Sequence, residues 1–316
     1  MDNNKDFLIF AGNSNLQLVK EVCGILDKKL GDALVGKFSD QEIQIKINQS
    51  VRKRDVFVIQ STSEPANDFF MELFLLADAL RRASANSITA VMPYFGYTRQ
   101  DRKAEPRTPI SASLMACFLT ASGCTRVITF DLHAGQIQGF FSVPVDNLYA
   151  SKIFLEYIKE HFANKMEDLI IVSPDAGGAP RARNYAKKLG INFAVIDKDR
   201  EMPGKAKPMS VVGDVRGKIA IVIDDLVDTA GTLTDGAKLL FEEGAVKIYA
   251  MATHAVLSGP ALRRINESVI ENLVVTNTIP LGTKEVCQKI KVLSVAPLLA
   301  ESIKRCHLGE SITDLF

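Results

Sequence analysis

The stretch Lys218–Thr232, KIAIVIDDLVDTAGT, decides how the whole chain is read. Ile219 to Ile223 is a continuous apolar run, the pattern of a strand buried on both faces of a parallel sheet. Two adjacent carboxylates follow, Asp224 and Asp225, then a third at Asp228, and the turn Thr229-Ala230-Gly231-Thr232 opens a helix through Lys238 to Glu242. Backbone N–H groups at a helix start have no partner inside the helix, and the dipole adds partial positive charge, so a phosphate dianion fits there. Gly231 lets the backbone close in, and Thr229 and Thr232 add hydroxyl donors. A carboxylate pair beside such a seat repels bare phosphate. Asp224 and Asp225 must therefore serve something else, sugar hydroxyls or a cation, and phosphate plus polyol points to a sugar phosphate.

Spacing separates this reading from its rivals. A Walker loop needs G-x-x-x-x-G-K-[ST], which the stretch lacks. A hydrolase working through an aspartyl phosphate wants its second Asp two residues after the first, where Leu226 stands. An acidic turn after a core strand would account for Asp-Asp alone, but not for the attached Thr-Ala-Gly-Thr.

The bulk properties bound the rest. At 316 residues the chain has room for about two domains of roughly 150 residues each, and 47% apolar residues fill real cores. Lys and Arg total 38 against 37 acids, a net charge of +1, so no bulk field draws nucleic acid and any phosphate binding is local. Five scattered cysteines, Cys23, Cys117, Cys124, Cys287 and Cys306, without a C-x-x-C, fit reduced thiols better than a disulfide framework or a zinc site. The apolar run near the N-terminus is too short for a signal peptide, and no stretch is long enough to span a bilayer. The expectation is a soluble, cytoplasmic protein without a membrane partner.

Outward from the organising stretch, strands and helices alternate in both halves, which predicts two mainly parallel sheets with helices on both faces. Predicted strands include 55–60, 88–92, 126–130, 169–172 and 192–196; predicted helices include 18–30, 67–85, 111–122 and 181–189. Ile43, Ile45 and Ile47 alternate with polar residues as a half-exposed strand, preceded by the polar turn Phe38-Ser-Asp-Gln-Glu42. The loop after residue 92 carries Arg99, Arg102, Lys103 and Arg107 against Asp101 and Glu105. It leaves the carboxyl end of a strand, where open parallel sheets bind ligands. The strand at 169–172 leads into Ser173-Pro-Asp175-Ala-Gly-Gly178, where Gly177 and Gly178 permit positive φ and close approach of a pyrophosphate and Asp175 is available to a hard cation.

Asp-Asp-x-x-Asp-Thr-Ala-Gly-Thr after an apolar strand resembles the phosphoribosyl-binding loop of the type I phosphoribosyltransferase fold. From near Phe10 to Phe316 the chain is similar to one family on that fold, the ribose-phosphate diphosphokinases (phosphoribosyl pyrophosphate synthetases). Besides the organising stretch, the strings carrying the likeness are Arg99-Gln-Asp-Arg-Lys103 and Asp131-Leu-His133-Ala-Gly-Gln-Ile-Gln-Gly-Phe-Phe141.

The resemblance implies an α/β chain of two tandem phosphoribosyltransferase-like domains, each a mainly parallel sheet flanked by helices. Residues 1–148 would form the nucleotide side and 149–302 the ribose 5-phosphate side, with a 303–316 tail packing back on the first domain. It implies transfer of the β,γ-diphosphoryl group of Mg-ATP to the C1 hydroxyl of ribose 5-phosphate, giving phosphoribosyl pyrophosphate and AMP. Arg99 and Gln100 would bind ATP, with Phe38, Asp40, Gln41 and Glu42 reaching a neighbouring subunit's nucleotide. His133 and Asp175 would meet Mg2+, and Lys198 and Arg200 would be catalytic on a loop over the reacting phosphates. Arg200, Asp224, Asp225 and Asp228 to Thr232 would hold ribose 5-phosphate. Ser50, Arg52, Ser311 and Phe316 match a regulatory phosphate site, and family precedent implies a homo-oligomer, at least a dimer and by precedent a hexamer. Pro180 and Ser113 stand where many members carry lysine. Two alternatives share the seat: a phosphoribosyltransferase consuming the pyrophosphate donor, and a non-catalytic partner of such enzymes.

Overall fold

The computed structural model describes residues 6–198, 209–282 and 287–315, with residue 198 described by its backbone alone. The chain divides into two compact units, Met1–Tyr149 with Thr278–Pro280 and Ser294–Phe316, and Ala150–Asn277 with Leu281–Leu293.

The first unit runs β1 (Leu8–Ala11), α1 (Leu16–Ile25), β2 (Ala33–Lys37), β3 (Ile43–Ile47), β4 (Asp55–Ile59), α2 (Ala66–Arg82), β5 (Ser87–Met92), α3 (Ser111–Ser122), β6 (Arg126–Phe130) and β7 (Val145–Leu148). Among the described residues, β1-β4-β5-β6-β7 form an all-parallel sheet in that order, and β2 and β3 pair as a separate antiparallel ribbon. Val56 and Val58 of β4 pack with Phe70, Leu73 and Leu80 of α2 in one core. α1 is shorter than the predicted 18–30. Asn15 caps its start by accepting from the Leu18 N–H at 3.2 Å, and Asp27 turns left-handed at φ 51° just beyond its end.

The second unit runs α4 (Ser151–His161), β8 (Leu169–Ser173), α5 (Ala179–Leu189), β9 (Phe193–Lys198), β10 (Met209–Val212), β11 (Ile219–Val227), α6 (Gly231–Glu242), β12 (Lys247–Ala255), α7 (Ala261–Glu267), β13 (Ile270–Thr276) and β14 (Ile290–Leu293). The order across its sheet is β10-β9-β8-β11-β12-β13-β14, parallel throughout except for the edge pair β10–β9. From β8 the chain steps to β9 on one side and then to β11 on the other. The crevice beyond the carboxyl ends of β8 and β11 is thus the reversal point where open parallel sheets bind ligands.

Burial explains why β11 lies in the middle. Ala220 and Val222 pack with Leu233, Ala237 and Leu240 of α6 and Ile265 of α7. Ile219, Ile221 and Ile223 pack on the other face with Phe154 and Ile158 of α4 and Tyr185 of α5. The strand is longer than the predicted Ile219 to Ile223, because β12 continues beside it: Asp224, Leu226 and Val227 pair with Ala252, His254 and Ala255. The acidic pair is therefore held in a hydrogen-bonded ladder and not in a loop.

The chain closes with α8 (Ala296–Leu308). The expected second domain ended at 302, whereas Ser294 onward belongs with the first unit. The cause is packing: α8 lies against α1, His307 Nδ1 is 3.2 Å from Asp55 Oδ2, and the His307 ring meets Phe7 at 4.9 Å. Thr278 joins the same unit by accepting from Ser61 Oγ at 2.6 Å.

Ile221 is fully buried at the centre of the second sheet, so Ile221→Ala should cost about 2–5 kcal/mol and Ile221→Val about 0.5–1.5 kcal/mol in equilibrium denaturation. An Ile221→Ala loss no larger than a surface change, about 0.5 kcal/mol, would contradict this placement.

Candidate active site

At the carboxyl end of β11 the two acids meet a cation that sequence reasoning passes over. Arg181 Nη1 stands 3.3 Å from Asp224 Oδ1 and 3.1 Å from Asp225 Oδ1. Asp225 is buried, and Asp224 keeps 32% of its side-chain surface. Loss of water and the neighbouring Asp225 charge push the Asp224 carboxyl up to about 8, against the pull of Arg181 in the other direction. Arg181 is in the first turn of α5, where the helix dipole disfavours a cation, and that misfit is the sequence signal that could have marked it.

The turn after β11 opens α6. Ala230 adopts φ 61°, a left-handed conformation uncommon without glycine, and α6 begins directly after it, with no cap hydrogen bond from the side chain of Ala230. The turn is braced from three sides. Thr234 Oγ1 donates to the carbonyls of Ala230 (2.9 Å) and Gly231 (3.1 Å), Arg264 Nη1 to the carbonyl of Thr229 (3.0 Å), and Ser258 Oγ to the Asp228 carboxylate. A Cβ on Gly231 would come within 3.2 Å of Arg264 Nη1, so a side chain there would crowd the brace. Ser258 and Arg264 also escape sequence reasoning. They reach the turn from 30 and 35 residues away, with no local pattern to signal it.

After β8, Asp175 is exposed, and its Oδ1 accepts the Gly178 N–H at 2.9 Å. Gly178 has φ −80°, so its glycine is not required by a positive φ as expected. The requirement is space, because a Cβ would fall 2.7 Å from Ser173 Oγ. Pro180 lies in the first turn of α5, where its missing N–H costs nothing. An exposed carboxylate at a strand end suits a hard cation. Among the described residues no three His, Cys, Asp or Glu side chains gather as a metal cage; magnesium carried on a nucleotide's phosphates needs only one or two carboxylates. Lys198 ends β9, and Arg200 lies outside the described residues.

In the first unit, Arg99 and Gln100 are exposed on the loop after β5, and His133 is exposed after β6, the neighbouring strand. Gln136 Nε2 donates to Asp101 Oδ2 at 3.4 Å, tying the two loops together. Both loops carry left-handed residues, Tyr97 (φ 63°), Arg107 (φ 67°) and the buried Asp131 (φ 37°). Phe38 to Glu42 form the tip of the β2–β3 ribbon, closed by the Phe38 N–H to the Glu42 carbonyl at 2.8 Å, with Gln41 at φ 75°. Phe38 is 49% exposed there, and Asp40 and Glu42 are exposed beside it. Ser50 and Arg52 are exposed before β4, and Ser311 is exposed after α8, its carbonyl accepting from Arg305 at 2.9 Å. Phe316 lies outside the described residues.

Comparison with known proteins agrees with this architecture. Residues 7–123 match the family profile described as the N-terminal domain of ribose phosphate pyrophosphokinase, and residues 199–316 that of the phosphoribosyl synthetase-associated domain. A ribose-phosphate pyrophosphokinase of Campylobacter jejuni is 53% identical over 313 residues, 99% of each chain. One of Bacillus subtilis is 51% identical over 313 residues, 99% of this chain and 98% of the other. The crystal structure of phosphoribosylpyrophosphate synthetase from Mycobacterium smegmatis matches with a TM-score of 0.92 at 41% identity, over 96% of this chain and 100% of that one.

A carboxyl raised by folding holds a proton that the unfolded chain gives up, so its contribution to stability falls as pH climbs from the ordinary 3.8 toward about 8. Asp224→Asn removes that dependence. Thermal melts of the ligand-free chains should show the variant gaining on the parent as pH rises through this window. A constant difference in melting temperature would contradict the raised carboxyl.

Proposed function

The chain belongs to the ribose-phosphate pyrophosphokinase family, and from that premise we propose that it transfers the β,γ-diphosphoryl group of ATP to the C1 hydroxyl of ribose 5-phosphate, releasing phosphoribosyl pyrophosphate and AMP. The observation that carries the reading is the start of α6, which Ala230 leaves without a cap bond from its own side chain, braced behind that left-handed residue and set beside an acidic pair where the sheet order reverses.

The 5-phosphate takes the N–H groups and hydroxyls of Thr229 to Thr232, where the helix dipole favours a dianion. Asp224 and Asp225 accept the ribose hydroxyls, which turns C1 toward the nucleotide. Arg99 and Gln100 hold ATP, and Phe38, Asp40, Gln41 and Glu42 serve the nucleotide of a neighbouring copy, so the working unit is at least a dimer, with a hexamer as the family precedent. Magnesium, met by His133 and Asp175, would neutralise the nucleotide's phosphates and polarise the transferred group. The C1 oxygen attacks the β-phosphorus in line, the bond from that phosphorus to the AMP oxygen breaks, and AMP departs. Lys198 and Arg200 stabilise the charge that grows on the moving group. Such reactions depend on positioning and on charge placed in advance. Ser50, Arg52, Ser311 and Phe316 are assigned to a regulatory phosphate site. Five free thiols support a reducing, cytoplasmic setting, and among the described residues no helix is long and apolar enough to cross a membrane.

With ATP and magnesium present, AMP release should depend on ribose 5-phosphate; release indifferent to the sugar would refute the reading. Lys198→Ala should lose about a hundredfold to a thousandfold in turnover while calorimetry still detects ribose 5-phosphate binding. Turnover equal to the parent's would remove Lys198 from the chemistry.

A further inference from the structure

We propose that Arg181 fixes Asp224 and Asp225 as a paired acceptor for adjacent pentose hydroxyls, and so sets the preference for ribose 5-phosphate over 2-deoxyribose 5-phosphate. The inference rests on the function proposed above and adds a positioning residue to it.

Four observations carry it. Consecutive residues of a strand point to opposite faces, so Asp224 and Asp225 have no intrinsic reason to act on one ligand. A single nitrogen of Arg181 nevertheless reaches an oxygen of each, at 3.3 and 3.1 Å, and draws the two carboxylates toward one point. Arg181 itself is two residues into α5, where a cation works against the helix dipole and is not there for the helix's sake. Its side chain is only 23% exposed, so the guanidinium reaches the acids from a largely enclosed position.

The charge balance points the same way. Two bare carboxylates at the mouth of a phosphate seat would repel both each other and the incoming dianion. The guanidinium shared between them, with the proton that burial keeps on Asp224, offsets that charge while leaving lone pairs on both groups to accept hydroxyl protons. Asp225 N–H donates to Asp224 Oδ1 at 2.9 Å, which holds the pair in the orientation Arg181 selects. A site that places acceptors for two neighbouring hydroxyls discriminates strongly against a sugar lacking one, because a buried acceptor is then left unpaired.

The test measures kcat/KM of the full chain with ATP for both sugars, in the parent, Arg181→Gln and Arg181→Lys, with thermal unfolding as the check on folding. Where turnover of the deoxy sugar is too slow, its inhibition constant takes the place of kcat/KM. Arg181→Gln should lower kcat/KM for ribose 5-phosphate about tenfold to a hundredfold, mainly through KM, the size expected for charged hydrogen bonds. The value for the deoxy sugar should change little, and Arg181→Lys should recover part of the preference. Equal losses for both sugars, or an unchanged ratio, would overturn the proposal. If Arg181→Gln does not fold, Arg181→Lys alone decides, and a ratio equal to the parent's overturns it. A parent that releases no AMP with ribose 5-phosphate fails the function reading instead and takes this inference with it.

Discussion

The pairing of β11 with β8 on one side and β12 on the other is the constraint from which the candidate site follows. Ile219–Val222 align with Leu169–Val172, and the ladder to β12 runs from Ile219–Lys247 to Val227–Ala255. With apolar side chains buried on both faces, the strand can neither slip by one residue nor rotate without moving its isoleucines out of their layer. That fixed register delivers Asp224 and Asp225 to one edge of the sheet, and the α6 turn directly after them. Carboxylates on a free loop would find counterions in solvent. Held in a ladder, they need one from the fold, and Arg181 on α5 supplies it.

Several of the left-handed residues stand on the turns at the carboxyl edges of the two sheets. A left-handed residue other than glycine costs about 1–2 kcal/mol, and Ala230 is kept there by bonds from Thr234 and Arg264 to the carbonyls around it. In the first unit, Asp131, Tyr97 and Arg107 do the same on the loops that carry His133 and Arg99. Such conformations persist only where the surroundings over-determine them, and they gather at ligand clamps. The two units thus share one construction, a parallel sheet that stays regular up to its carboxyl edge followed by braced, irregular turns.

Much of this was legible in the sequence, for local reasons. The apolar run at Ile219 to Ile223, the acids behind it and the Thr-Ala-Gly-Thr turn announce strand, pair and helix start within fifteen residues. What was not legible acts over distance. Arg181 reaches its acids across 43 and 44 residues, and β11 extends past Ile223 only because β12 runs beside it. The return of α8 to the first unit depends on contacts such as His307 with Asp55, 252 residues apart. No periodicity records such pairings. Gly178 shows a subtler limit: the sequence marks a glycine, but only the Ser173 hydroxyl reveals that it answers to space and not to φ.

In the function proposed for this chain, the start of α6 grips the phosphate of a pentose whose hydroxyls face the acidic pair. The decisive experiment is a crystal of the chain soaked with ribose 5-phosphate. Phosphate density is expected within hydrogen-bond reach of the backbone N–H groups of residues 229–232, with the sugar ring turned toward Asp224 and Asp225. Sugar phosphate bound elsewhere while that turn stays vacant would contradict it.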